Sequence, residues 1–161
     1  RDYPIRVERM CLNFDDGVGH GEHRGGFGMR KDYRILAEDT NMVCSINRIK
    51  YPAWGVDGGE DGSCNHIVVI RDDKVIWDGG RASDFAIKKG DIVSIRSGGG
   101  AGWGAPINRD PQLVLEDYKN GLVSLETAKE KYGVIISPDD LTIDLETTKS
   151  LREKMKVLEG I

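Results

Sequence analysis

Arg96 to Pro111, RSGGGAGWGAPINRDP, sets Gly98, Gly99, Gly100, Gly102 and Gly104 around Trp103 and ahead of Arg109. Backbone amides freed of side chains can converge on a phosphate, while Trp103 offers a stacking face and Arg109 a positive charge. A phosphate loop also needs Lys followed by Ser or Thr at the head of a helix, and Ser97 to Gly104 lacks that pair. The dinucleotide pattern G-x-G-x-x-G fails too. Counted from Gly98 its third glycine falls on Trp103, and counted from Gly99 its second falls on Ala101. The residue types favour a close backbone crossing, with Arg109 as anchor and Asp110 as helix cap. Gly98, Gly99, Gly100, Gly102, Trp103 and Arg109 form the candidate ligand-binding set.

Other groups have weaker patterns. His20-x-x-His23, with Asp15, Asp16 and Glu22 beside it and His66 further on, holds metal-ligating types. The spacing fits no common zinc pattern, and a glycine-flanked turn holds ligands loosely, so a solvated polar turn is the simpler reading. Asp57, Glu60 and Asp61 in VDGGEDG resemble part of a calcium loop without its closing bidentate Glu, and read as a plain turn. Ser83, Ser97 and Cys64 lack a nucleophile context such as G-x-S-x-G. Trp54, Trp77 and Trp103 could stack on a ligand, but the two in glycine-rich turns, Trp54 and Trp103, are expected to plug the end of a β-core. No catalytic residue and no metal ligand is assigned.

The elements that must position these groups belong to one domain of 161 residues. A net charge of -4 with no basic stripe argues against a duplex nucleic-acid footprint. The longest apolar runs, such as Ile67 to Ile70, fall far short of the roughly 20 residues of a membrane span, and no signal peptide is evident. Three widely spaced cysteines, Cys11, Cys44 and Cys64, suit buried thiols in a reducing compartment, hence a cytoplasmic protein. The chain opens at Arg1 already in strand-like sequence, as a processed chain or a piece of a longer one would.

Period-2 alternation predicts strands over Ile5 to Phe14 and Phe27 to Leu36, paired as a hairpin, and a shorter one over Met42 to Ile46. Strands follow at His66 to Ile70, Lys74 to Trp77, around Phe85 and Ile87, and Ile92 to Ile95. Beyond the glycine run the period changes. Asp110-Pro111 starts a helix that runs to Lys119 and presents Leu113, Val114 and Tyr118; Ser124 caps a second that runs to Tyr132. Val134 to Ile136 suits a last strand, and Asp144 caps an amphipathic helix carrying Leu145, Thr148, Leu151, Met155 and Leu158. The expected fold is α+β: mainly antiparallel β over 1–104, sandwich or barrel-like, with a helical segment over 105–161 packed on it as one structural unit.

The order of the motifs is more specific than any one of them. R-V-E-R at Arg6 to Arg9, D-x-x-G-x-G-x-x-R-G-G at Asp16 to Gly26, W-G-x-x-G-G at Trp54 to Gly59 and Gly90-Asp91 come first. G-G-G-x-G-W-G-x-P-x-x-R-D-P and L-V-S-x-E-x-A follow. Together, over Tyr3 to Val134, they resemble the C-terminal region of the hydantoinase B / 5-oxoprolinase family. Val18 stands where the family is expected to have glycine, and Ala105 where it usually has Asp. The resemblance implies part of an ATP-dependent cyclic-amide hydrolase, or of a related acetone or acetophenone carboxylase. The implied partners are a hydantoinase A-like ATP-binding subunit and the N-terminal part of the B-type subunit, in a hetero-oligomer. ATP and a divalent metal are expected on those partners, with no cofactor on this chain. The role left for it is scaffolding and docking, through apolar surface such as the Leu145 to Leu158 helix. On this reading the glycine run is a sheet-to-helix junction; a stand-alone module binding a small ligand or anion is the alternative.

Overall fold

The computed structural model describes residues 3–159. The first hairpin forms as expected: β1 (Ile5–Asn13) and β2 (Gly28–Ile35) pair antiparallel, with Ile5 opposite Ile35, Val7 opposite Tyr33 and Leu12 opposite Met29. A bulge between Val7 and Arg9 shifts the alternation, so Met10 and Leu12 share the face of Ile5 and Val7. Simple alternation along the sequence would put Met10 on the other side.

β7 (Ile92–Arg96) lies beside β2, followed by β4 (His66–Arg71) and β5 (Lys74–Gly79), giving the antiparallel order β1-β2-β7-β4-β5. The β4–β5 turn has Asp72 at φ 48° and Asp73 at φ 60°, the doubly positive backbone that matches strand twist in a two-residue hairpin. β3 (Thr40–Ser45) and β6 (Arg81–Ile87) form a separate two-stranded sheet. Ile35, Ile67, Val69 and Val93 of the larger sheet bury against Met42 and Ile87 of the smaller one, with Trp77 and Phe85 at the margin. Of the two expected β architectures, the layered one forms.

The helical segment has its own core of Val114, Leu115, Val123, Ala128, Tyr132, Val134 and Ile136. A 3-10 turn at Pro106–Asn108, not foreseen, leads into α1 (Pro111–Lys119), whose bounds agree with the capping signals. Asp110 Oδ1 accepts from the Gln112 amide at 2.8 Å. Leu115, rather than the expected Leu113, joins Val114 in the core, and Leu113 is exposed. α2 (Leu125–Glu130) begins after the Ser124 cap but stops two residues short of the expected end; Gly133, at φ 60°, turns the chain and lets the Val134 amide donate to the Ala128 carbonyl, and Tyr132 is fully buried. The strand expected over Val134 to Ile136 forms as β8 (Ile136–Ser137), paired with an unforeseen β9 (Thr142–Ile143).

α3 (Leu145–Glu159) is capped by Asp144, which accepts from the Thr147 amide at 3.0 Å and its hydroxyl at 2.7 Å. Its inward contacts are largely polar. Thr148 Oγ1 accepts from the Ile135 amide, and Arg152 donates to the carbonyls of Tyr132 and Arg109. Leu145 and Val157 are exposed, and the expected Leu158 contact rests on a side chain outside those described. The cysteines correct another expectation: Cys11 is exposed and Cys44 and Cys64 are partly so. Cys11 sits on β1, where every residue but Asn13 is exposed.

Candidate functional site

Three loops meet at one end of the sandwich: residues 14–27 between β1 and β2, 46–65 between β3 and β4, and 97–104 after β7. Their backbones are laced together. Within the run, the Gly98 amide donates to Asn65 Oδ1 at 2.7 Å and the Gly99 amide to Ser63 Oγ at 2.7 Å. Gly100 donates to Gly26 O, Gly102 to Glu60 O, Trp103 to His23 O and Gly104 to Val56 O, at 2.8–3.0 Å. Each of these six amides is already used inside the fold. An anion would have to displace these bonds to reach them, so the run does not fit the role of a phosphate cradle for ATP.

What the glycines provide is close approach. A Cβ on Gly102 would overlap the His20 carbonyl, and one on Gly59 would overlap the Gly102 carbonyl. Three chains can stack at this spacing only without side chains between them. Trp103 lies on the layer, about half exposed, its ring centroid 5.3 Å from that of His23. Trp54 is 77% exposed, which overturns its expected role as a core plug. Its turn closes instead through Asp61 Oδ1, which accepts from the Gly55 amide at 2.7 Å.

Side chains then tie this layer to the helices. Arg24 donates to both carboxylate oxygens of Asp117 on α1, at 3.1 and 3.0 Å, and Arg109 donates to Asp117 Oδ2 at 3.1 Å. All three side chains are nearly buried, at 13%, 11% and 10% exposure for Arg24, Arg109 and Asp117. Arg109 also donates to the Glu22 carbonyl, so it anchors the crossing. Lys131 pairs with Glu60 at 2.7 Å. His20 Nδ1 lies 2.9 Å from the Tyr132 hydroxyl; burial pushes the His20 pKa down and that of Tyr132 up to about 12.

The histidines therefore separate: His20 goes to Tyr132, His23 to Trp103, and His66 to a cluster that linear spacing does not reveal. His66 Nε2 is 2.9 Å from Asp16 Oδ2 and its Nδ1 is 3.2 Å from Asp78 Oδ1. The Asn13 side-chain amide donates to Asp16 and to the Ser97 carbonyl. Burial raises the Asp16 pKa, but the hydrogen bonds from Asn13 and His66 outweigh it and hold the carboxyl below its ordinary range. With carboxylates at both ring nitrogens, His66 has no free nitrogen for a metal. Among the described residues, no group of three or more His, Cys, Asp or Glu is arranged to hold an ion. Asp16 and His66 are 50 positions apart; the only signal in the sequence was that Asp16 opens a glycine motif. No helix among the described residues is long and apolar enough to cross a membrane.

Several known proteins are similar to this chain. A protein of Methanocaldococcus jannaschii is 40% identical over 153 residues, which is 94% of this chain and 27% of that one. Caprolactamase subunit beta of Pseudomonas jessenii is 32% identical over 142 residues, 83% of this chain and 24% of the subunit. The nucleotide-free acetone carboxylase structure has the same fold, with a TM-score of 0.72 at 20% identity over 97% of this chain and 25% of its own. This chain thus spans about a quarter of the length of each. The profile of the hydantoinase B/oxoprolinase family matches residues 1–106, well over half of the sequence, and the chain belongs to that family.

Proposed function

We propose that this chain is the C-terminal module, or a small subunit, of the B-type component of an ATP-dependent cyclic-amide hydrolase. Its work is to complete the fold of that component and to dock the other subunits of a hetero-oligomer. ATP and a divalent metal are held by the partners: a hydantoinase A-like subunit and the N-terminal part of the B-type chain. The observation that carries the reading is the self-contained glycine layer. The motifs that mark the family are spent on backbone stacking and on the Arg24–Asp117–Arg109 tie, which is scaffold chemistry. The hydrolase is preferred to a ketone carboxylase on the degree of sequence likeness: caprolactamase subunit beta is 32% identical over 83% of this chain, against 29% over 70% of it for an acetone carboxylase alpha subunit.

The test is reconstitution. The chain is purified with its A-like and B-type partners, and ATP consumption is followed with a panel of cyclic amides and, separately, with ketones plus bicarbonate. Ring opening coupled to ATP hydrolysis, lost when this chain is omitted, is the expected result. Bicarbonate-dependent turnover of a ketone would move the assignment to the carboxylases. Full activity without the chain would refute the scaffold role.

A further inference from the structure

The two faces of the β1–β2 hairpin are unequal. On one face the charges satisfy each other: Glu8 pairs with Arg6 and Arg34, and Arg30 pairs with Asp15 and Asp32. The other face carries Ile5, Val7, Met10 and Leu12 of β1 with Met29 of β2 and Ile95 of β7, all between 39% and 63% exposed. Lys31 lies among them and turns its ammonium onto the Tyr33 ring, 5.1 Å from the centroid. The small β3–β6 sheet covers the β4 and β7 end of this face, around Val69 and Val93, and reaches Ile35 at the end of β2, but it leaves Ile5, Val7, Met10, Leu12 and Met29 exposed. Among the described residues, the outer edge of β1 also lacks a neighbouring strand, since β1 ends the order of its sheet. A long apolar face beside a free strand edge is a surface that folded chains keep covered.

We infer that this face is an interface, and that its occupant is the part of the B-type polypeptide lying outside the sequence described here. The inference rests on the proposed function. Related chains carry about three quarters of their length beyond the matched stretch, so the fold recurs within much longer chains. A second copy of this chain fits less well, because pairing two β1 edges brings Arg6 and Arg9 of both strands together on one face. The occupant presents an apolar surface to Val7 and Met10, and the free edge of β1 offers its backbone amides and carbonyls to an added strand.

The experiment places a photo-crosslinking phenylalanine analogue at Met10, or at the exposed Val43 on β3 as a control, in the complex purified from its native host. Crosslinked peptides are identified by mass spectrometry. Crosslinks from position 10, and not from 43, to sequence of the B-type component outside this stretch are expected. Where that component is a separate chain, Val7→Lys combined with Met10→Lys should cut its recovery at least tenfold, while Val43→Lys leaves it unchanged. Crosslinks from position 10 to a second copy or to the ATP-binding subunit, or none in a complex that is demonstrably intact, overturn the inference and leave the proposed function standing. A chain that recovers neither subunit from a host expressing both removes the proposed function, and this interface with it.

Discussion

Replacing Asp117 with Ala takes away the carboxylate shared by two arginines that have little access to water. Arg24 loses both of its side-chain acceptors and keeps only the Gly25 carbonyl; Arg109 keeps only the Glu22 carbonyl. Removing one partner of a buried charge network costs about 3–5 kcal/mol, because the charges left behind stay desolvated. Against a typical total of roughly 5–15 kcal/mol, that is a large share. For a chain of this size it corresponds to a fall in Tm of roughly 6–20 °C, at about 2–4 °C per kcal/mol. Urea unfolding followed by tryptophan fluorescence and far-ultraviolet circular dichroism reads the loss directly. The triple change Arg24→Met, Arg109→Met and Asp117→Leu should be less damaging than Asp117→Ala alone, since it leaves no buried charge unpaired. A loss below about 1 kcal/mol for Asp117→Ala, the range of an exposed pair, would refute the account of the clamp as the tie between glycine layer and helices.

Three further outcomes follow from the same geometry. Gly102→Ala, whose new methyl meets the His20 carbonyl, should cost about 1–3 kcal/mol or more in urea unfolding, whereas Gly26→Ala, with open space around its Cβ, should be neutral or slightly stabilising. Asp91 is fully buried and accepts two hydrogen bonds from Arg71, at 2.8 and 2.7 Å; these, against the opposing effect of burial and with help from the Lys88 amide, hold its pKa below the ordinary value. Its contribution is complete above the unfolded value near 4 and is lost as pH falls through the lower folded value. Asp91→Asn should therefore lower Tm at neutral pH and flatten the acid limb of a Tm-against-pH curve. In a phenolate absorbance titration, one of the five tyrosines should ionise near pH 12 with its burial intact, and that late step should vanish in Tyr132→Phe. The folded pKa is the raised one, so this tyrosine's stabilising effect persists up to about pH 10 and fades as pH rises toward 12.

What the sequence determined by itself was what short-range chemistry controls. Asp110-Pro111 and Asn120-Gly121 bound α1 because caps and a left-handed glycine act within a few residues. Period-2 alternation located the strands, and the ordered glycine motifs identified the family, because close-packed backbone leaves no room for other residues. Tertiary structure decided what depends on distant neighbours. β7 enters between β2 and β4, a choice invisible in the alternation of any one strand. One bulge beside Glu8 gathers Ile5, Val7, Met10 and Leu12 onto a single face. Asp16 meets His66 across 50 positions and Arg24 meets Asp117 across 93, because side chains pair where the folded backbone brings them, and nothing in the local sequence records that distance. The glycine run shows the division most directly. Its composition suits either an anion cradle or a backbone crossing, and only the folded chain, by supplying an acceptor for each of the six amides, makes it the crossing.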